Sequence, residues 1–184
     1  MLRADQARFQ PVTAHLKNSE DVVLRFLATD DTDALGDFYL SIERAACRFY
    51  CPTLLTREDA VKKAAAAEEP TSVTLVAEDK DGRIVGYAWY RWKAAEPEKP
   101  SIFGICLRKA YRGAGLGKAL MARLFDVAEH VGPPVMCLTV QLANPRAVAL
   151  YTRMGFRIIR EQERRAFDAF PAEPEYYMER PVRG

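Results

Sequence analysis

The chain has 184 residues, 49% hydrophobic and 28% charged, the balance of an ordinary globular protein with a core that needs neither disulfides nor metal. Its 27 basic and 25 acidic residues leave a net charge of +2, too even for a protein whose main task is to coat nucleic acid or an anionic membrane. No run approaches the roughly 18 apolar residues of a membrane span, and residues 1–20 lack the apolar centre of a signal peptide, so a cytoplasmic location is expected.

Residues 1–20 read as a polar leader and residues 21–184 as a single domain. Val22 to Leu27 reads as a short strand, and Asp30, Asp31, Thr32 and Asp33 supply capping side chains for a helix from Thr32 to about Tyr50, closed by Pro52. Arg57 to Glu68, rich in Ala, Lys and Glu, offers a second helix before Pro70. Ser72 to Glu78 and Ile84 to Trp92 are rich in β-branched and aromatic residues and are joined by Lys80-Asp81-Gly82-Arg83, the pattern of a hairpin. A loop with Pro97 and Pro100 precedes an apolar strand, Ser101 to Leu107.

From Gly115 the period changes: Leu116, Leu120, Leu124, Val127 and Val131 form the stripe of an amphipathic helix, which Gly132-Pro133-Pro134 ends. A strand from Val135 to Leu142, a helix from Pro145 to Met154, a strand from Phe156 to Glu161, a loop around Phe170-Pro171 and a strand from Glu175 to Pro181 follow. This order gives an α/β or α+β domain with a mixed central sheet, antiparallel at first and crossing over through helices later. Cys47, Cys51, Cys106 and Cys137 do not match zinc spacings, so reduced thiols and no metal are expected.

Arg112-Gly113-Ala114-Gly115-Leu116-Gly117, between strand and helix, has the build of an anion cradle. Glycines allow positive φ and close approach, the unpaired N–H groups of the first helical turn point outward, and Arg112 and Lys118 add cations. The segment Arg108 to Arg123 holds five basic residues and no acid. A Walker A loop fails because Arg112 and Ala119 stand where glycine and a hydroxyl are required, and the dinucleotide fingerprint fails because Lys118 replaces its last glycine. In Asn144-Pro145-Arg146-Ala147-Val148-Ala149-Leu150-Tyr151, continuing to Gly155-Phe156, Asn144 can cap the helix, Pro145 suits its first turn and Gly155 stops it. Asn144, Ala147 and Tyr151 share one face.

The glycine turn resembles the acyl-CoA loop of the GNAT acetyltransferase superfamily: Arg112, Gly115 and Gly117 meet its pattern of Gln or Arg, two residues, Gly, one residue, and Gly or Ala. The common proline of the lead into that loop is absent, with Lys109 near its place. Asn144 to Phe156 resembles the family's following Asn-x-x-Ala-x-x-Leu-Tyr-x-x-x-Gly-Phe segment, and the likeness spans about Val22 to Pro181.

The resemblance implies a central mixed, mostly antiparallel twisted sheet of about seven strands with helices on both faces. Its acyl-CoA cleft lies where the parallel strands Ile102 to Leu107 and Val135 to Leu142 splay apart. It further implies acetyl-CoA as co-substrate. The pantetheine arm would lie against the backbone of Ile105, Cys106 and Leu107, with a strand N–H near Ile105 as oxyanion donor, and the pyrophosphate on the N–H groups of Arg112, Gly113, Ala114, Gly115, Leu116, Gly117 and Lys118. Asn144 and Ala147 complete the cofactor side, and Tyr151 also protonates the leaving thiolate. The acceptor is a primary amine of a small molecule or peptide, with no nucleic acid or membrane partner and a homodimer left open. The base stays open among Glu98, Glu43, Glu78 and a water chain. An acyl-cysteine route through Cys106 is disfavoured, since a strand cysteine is usually inert. The two early helices and the Arg160 to Pro174 loop, with Phe38, Tyr39, Tyr50, Phe167 and Phe170, are expected around the acceptor. The rival classes are a non-catalytic acyl-CoA-binding module and, on the basic cluster alone, a nucleic-acid binder.

Overall fold

The computed structural model describes residue 1, residues 3–50 and residues 53–183; Cys51 and the helix-closing Pro52 lie outside the described residues. The leader expected over residues 1–20 is part of the fold. After a short helix, α1 (Arg3–Gln6), strand β1 (Val12–His15) pairs antiparallel with β2 (Asp21–Phe26), Val12 opposite Leu24. This edge strand has almost no buried side chain and so carries no hydrophobic alternation, but Leu16 just beyond it is buried.

The helix expected from Thr32 to Tyr50 is broken. Helix α2 (Thr32–Leu40) stops at Ser41, whose hydroxyl donates to the Phe38 carbonyl at 2.6 Å, the competition for helical carbonyls that serine offers. A single turn, α3 (Arg44–Cys47), and a 3-10 turn at Arg48–Tyr50 follow. Asp31 stands at the N-cap of α2 without capping it, because its carboxylate accepts from the Ala28 N–H and pairs with Arg25 at 2.6 Å. Helix α4 (Arg57–Ala65) starts on a reciprocal capping box between Thr56 and Asp59.

Strands β3 (Ser72–Glu78), β4 (Ile84–Arg91) and β5 (Ser101–Leu107) form an antiparallel meander; helix α5 (Leu116–Ala128) leads to β6 (Val135–Gln141), and helix α6 (Pro145–Arg153) to β7 (Arg157–Arg164) and β8 (Glu173–Pro181). The sheet has eight strands in the order β1-β2-β3-β4-β5-β6-β8-β7, one more than expected because of β1. The parallel pair β5 and β6 keeps register only at Ser101 with Met136 and Ile102 with Cys137, then splays. A bulge in β7 skips Ile159, so Arg160 and Gln162 come opposite Tyr177 and Glu175.

Two cores hold the layers. On one face Leu116, Leu120, Met121 and Leu124 of α5 pack on Leu75, Ala88, Phe103, Leu138 and Val140. On the other, Leu35, Phe38 and Tyr39 of α2 and Ala60 of α4 pack on Val76, Ile84, Tyr87 and Cys106. Among the described residues no helix is long and apolar enough to cross a membrane.

Candidate active site

The splay opens a cleft of about 1390 Å³ running from the first turn of α5, between β5 and β6, to the face covered by the early helices. Strand pairing decides what the gap offers. Arg108 donates its N–H to Val85, and antiparallel bonding alternates, so Cys106 spends its backbone on β4 while Ile105 and Leu107 turn N–H and C=O toward the gap. The bonds from Val182 to Pro134 and Leu142 to Pro174 fix β6 likewise, leaving the backbones of Thr139 and Gln141 facing the gap. The contribution expected from the Cys106 backbone is therefore corrected: its amide belongs to the β4 ladder.

At the end of the cleft beside α5, Gly113 and Gly115 hold φ of +83° and +99°, a region that favours glycine. A Cβ on Gly113 would meet nothing within 4 Å, so the turn leaves open space for a ligand. Gly115 is the N-cap of α5 and offers no side chain to its first-turn N–H groups, which remain anion donors. Arg112, Gly113, Gly115, Gly117 and Lys118 line the cleft. Ala114 and Leu116 turn their side chains into the core, so they can serve a ligand only by backbone. Lys17 lines the same end, anchored by its N–H on the Ala114 carbonyl at 2.9 Å.

Asn144, Ala147 and Tyr151 line the cleft from α6, with Ile105, Cys106 and Leu107 opposite. Asn144 uses its side-chain oxygen to cap Ala147 at 3.3 Å, which leaves its amide donors for other use. The Tyr151 ring sits edge-on to Phe103 and Phe156 at 6.1 and 6.0 Å between centroids, and burial raises its hydroxyl well above the ordinary phenol range. Burial also pushes the Cys106 thiol up to about 12, against the opposing effects of the Tyr50 hydrogen bond and Arg112.

None of the three candidate bases lines the cleft. Glu43 is exposed and paired with Lys109 at 2.7 Å, Glu78 pairs with Arg25 at 2.6 Å, and Glu98 lies exposed in its loop. Of the aromatics expected around the acceptor, Tyr50 lines the cleft, Phe38 and Tyr39 are buried in the second core, and Phe167 pairs with Phe170 in a loop confined to residues 165–172. Arg160 belongs to β7. Away from the glycine turn the cleft is lined by Trp89, Thr139, Gln141, Arg160, Gln162 and Tyr177. Thr139 and Gln141 were detectable as the polar positions alternating with Met136, Leu138 and Val140; Trp89 and Gln162 depend on long-range register.

A family model described as "Acetyltransferase (GNAT) family" matches residues 38–156. Mycothiol acetyltransferase of Clavibacter sepedonicus is 30% identical over 156 residues, 85% of this chain and 49% of that protein; the chain thus spans about half the length of that relative. A GNAT-family acetyltransferase from Streptococcus pneumoniae superposes with a TM-score of 0.74 at 26% identity, covering 88% of this chain and 99% of that one. The yncA protein of Salmonella typhimurium, described with its cofactor acetyl-CoA, superposes at 0.72 with 19% identity, covering 89% and 95%. With the model match spanning more than half the residues, and the glycine turn and splayed strands in one cleft, the chain belongs to the GNAT acetyltransferase family.

Proposed function

We propose that the protein transfers an acetyl group from acetyl-CoA to a primary amine of a small molecule or peptide. The observation that carries this reading is the shared cleft: a left-handed glycine pair at the N-terminus of α5 opens into the same gap that the free edges of β5 and β6 and Tyr151 line. The residues present fit the donor. First-turn N–H groups of α5, Lys17, Arg112 and Lys118 would hold its phosphates, and the Ile105 and Leu107 backbones its pantetheine arm. Bound there, acetyl-CoA supplies the activated acetyl group. The inward N–H of Ile105 is the donor for the thioester oxygen, and Tyr151 holds the proton that the leaving sulfur needs. The acetyltransferase names of the relatives support the reaction class.

Acetyl-CoA incubated with the protein and a panel of primary amines, read by free-thiol release and mass spectrometry of the product, tests the reading. Thiol release with one amine, and a product heavier by one acetyl group, is the expected result. The second reading, a non-catalytic acyl-CoA-binding module, is favoured by the lack of any carboxylate among the described cleft-lining residues; it predicts acetyl-CoA binding without thiol release from any amine.

A further inference from the structure

An amine acceptor arrives as an ammonium, and the walls it meets carry several cations and, among the described residues, no carboxylate. The counter-charge lies just beneath. Glu175 is 4% exposed and is the one charged residue among the described buried polar side chains. Its neighbours in register are Gln141 on β6 and Gln162 on β7, which share its face of the sheet and both line the cleft. Gln162 donates its side-chain amide to Glu175 Oε1 at 2.8 Å. Oε2 is buried without a hydrogen-bond partner, and no described cation pairs with the carboxylate: Arg48 and Arg164 pair with Glu173 through their terminal nitrogens, while the Nε of each is itself buried without a partner. A buried carboxylate with one oxygen unsatisfied is costly unless something supplies the missing donor.

We propose that Glu175 is the ammonium-binding and proton-accepting residue for the acceptor amine; this rests on the acetyl-transfer reading above. Among the described residues the Gln141 amide is held by one long bond, to the Arg48 carbonyl at 3.3 Å, and in this proposal rotation of Gln141, the register neighbour of Glu175, opens the path to Oε2. Glu175 then takes one proton from the ammonium. The nitrogen lone pair forms the N–C bond as the C–S bond breaks, Tyr151 gives its proton to the sulfur and regains one from the acylated nitrogen, and the Glu175 proton leaves to solvent. Protons and charge balance, and no further reactant is needed.

The test compares wild type, Glu175→Gln and Glu175→Asp with acetyl-CoA and a panel of spermidine, glucosamine, L-methionine sulfone and an alanine-initiated peptide. Turnover is read by free thiol, and calorimetry reads amine binding to the CoA-loaded protein. Expected are a loss in kcat/KM on the order of 10²-fold in Glu175→Gln, partial rescue in Glu175→Asp, weakened amine binding in Glu175→Gln, and unchanged acetyl-CoA affinity and thermal midpoint. Turnover and amine binding in Glu175→Gln equal to wild type, or losses matched by falls in acetyl-CoA affinity and midpoint, overturn the role of Glu175. Amine binding lost in the variant while wild type binds but never releases thiol sustains the ammonium site and overturns the transfer reaction and the proton-accepting role. Failure of wild type to bind any amine overturns the proposed site.

Discussion

Trp89 lies against the bare Cα of Gly104: a Cβ placed on Gly104 would stand 2.6 Å from the indole ring. The two are register partners on β4 and β5, so glycine lets the ring lie flat beside the point where β5 and β6 part. Gly104→Ala forces the indole off the strand, an overpacking that costs about 1 to 3 kcal/mol. Because Trp89 lines the part of the cleft proposed to take the acceptor, the KM for the amine should rise several-fold while acetyl-CoA affinity holds. Steady-state kinetics with the accepted amine, set beside acetyl-CoA calorimetry, check this; an amine KM unchanged in a variant of lowered midpoint would remove Trp89 from the acceptor wall.

Tyr151 is the single hydroxyl proposed to serve the departing sulfur. Its raised pKa keeps it protonated throughout the neutral range and makes it a weak acid, so it can give up its proton only as charge develops on sulfur in the transition state. Tyr151→Phe keeps the ring packing against Phe103 and Phe156 and should lower kcat on the order of 10²-fold with acetyl-CoA affinity unchanged. Wild-type turnover in that variant would take Tyr151 out of the chemistry.

What was legible in the sequence is what local chemistry decides. Asn144, Pro145 and Gly155 cap, start and stop α6 within one segment, and the two left-handed glycines of the cradle sit within four residues of each other. Ser101 to Leu107 and Val135 to Leu142 were visible as strands from their apolar content, the second one residue longer than the strand formed. What was hidden depends on partners far along the chain. Lys17 reaches the glycine turn only because an exposed edge strand docks on β2, and Gln162 faces the cleft only because of a bulge at Ile159. The break after Leu40 turns on one serine hydroxyl, which a composition favourable to helix masks.

Cys106 lines the cleft, yet its chemistry argues against a covalent route. Burial pushes its thiol up to about 12, and the thiolate is the nucleophile, so at neutral pH the side chain is inert. Cys106→Ser should keep turnover within a few-fold of wild type, and wild-type protein incubated with acetyl-CoA without amine should carry no acetyl adduct on the Cys106 peptide in mass spectra. An acetylated Cys106 peptide that disappears on adding amine would establish a two-step transfer instead.

Lys63 offers a pH test that is independent of catalysis. Its Nζ stands 5.0 Å from the Trp89 ring centre and 6.0 Å from that of Tyr87, and those faces favour the cation. Burial, and then the nearby Arg91, act the other way and carry its pKa down from 10.5 to about 8. The unfolded chain therefore keeps the Lys63 proton up to its ordinary value while the folded chain releases it near 8. Between the two the unfolded state binds more protons, so Lys63 makes stability rise with pH across that window, and the gain is lost as pH falls through the folded value. Thermal midpoints of wild type and Lys63→Met, taken from about pH 7 to about pH 10, should converge in one direction: the variant gains most over wild type at the low end, where the buried cation is fully charged, and least at the high end. Parallel curves would mean that the aromatic faces hold Lys63 charged at its ordinary pKa, leaving a permanent cation over the Trp89 ring.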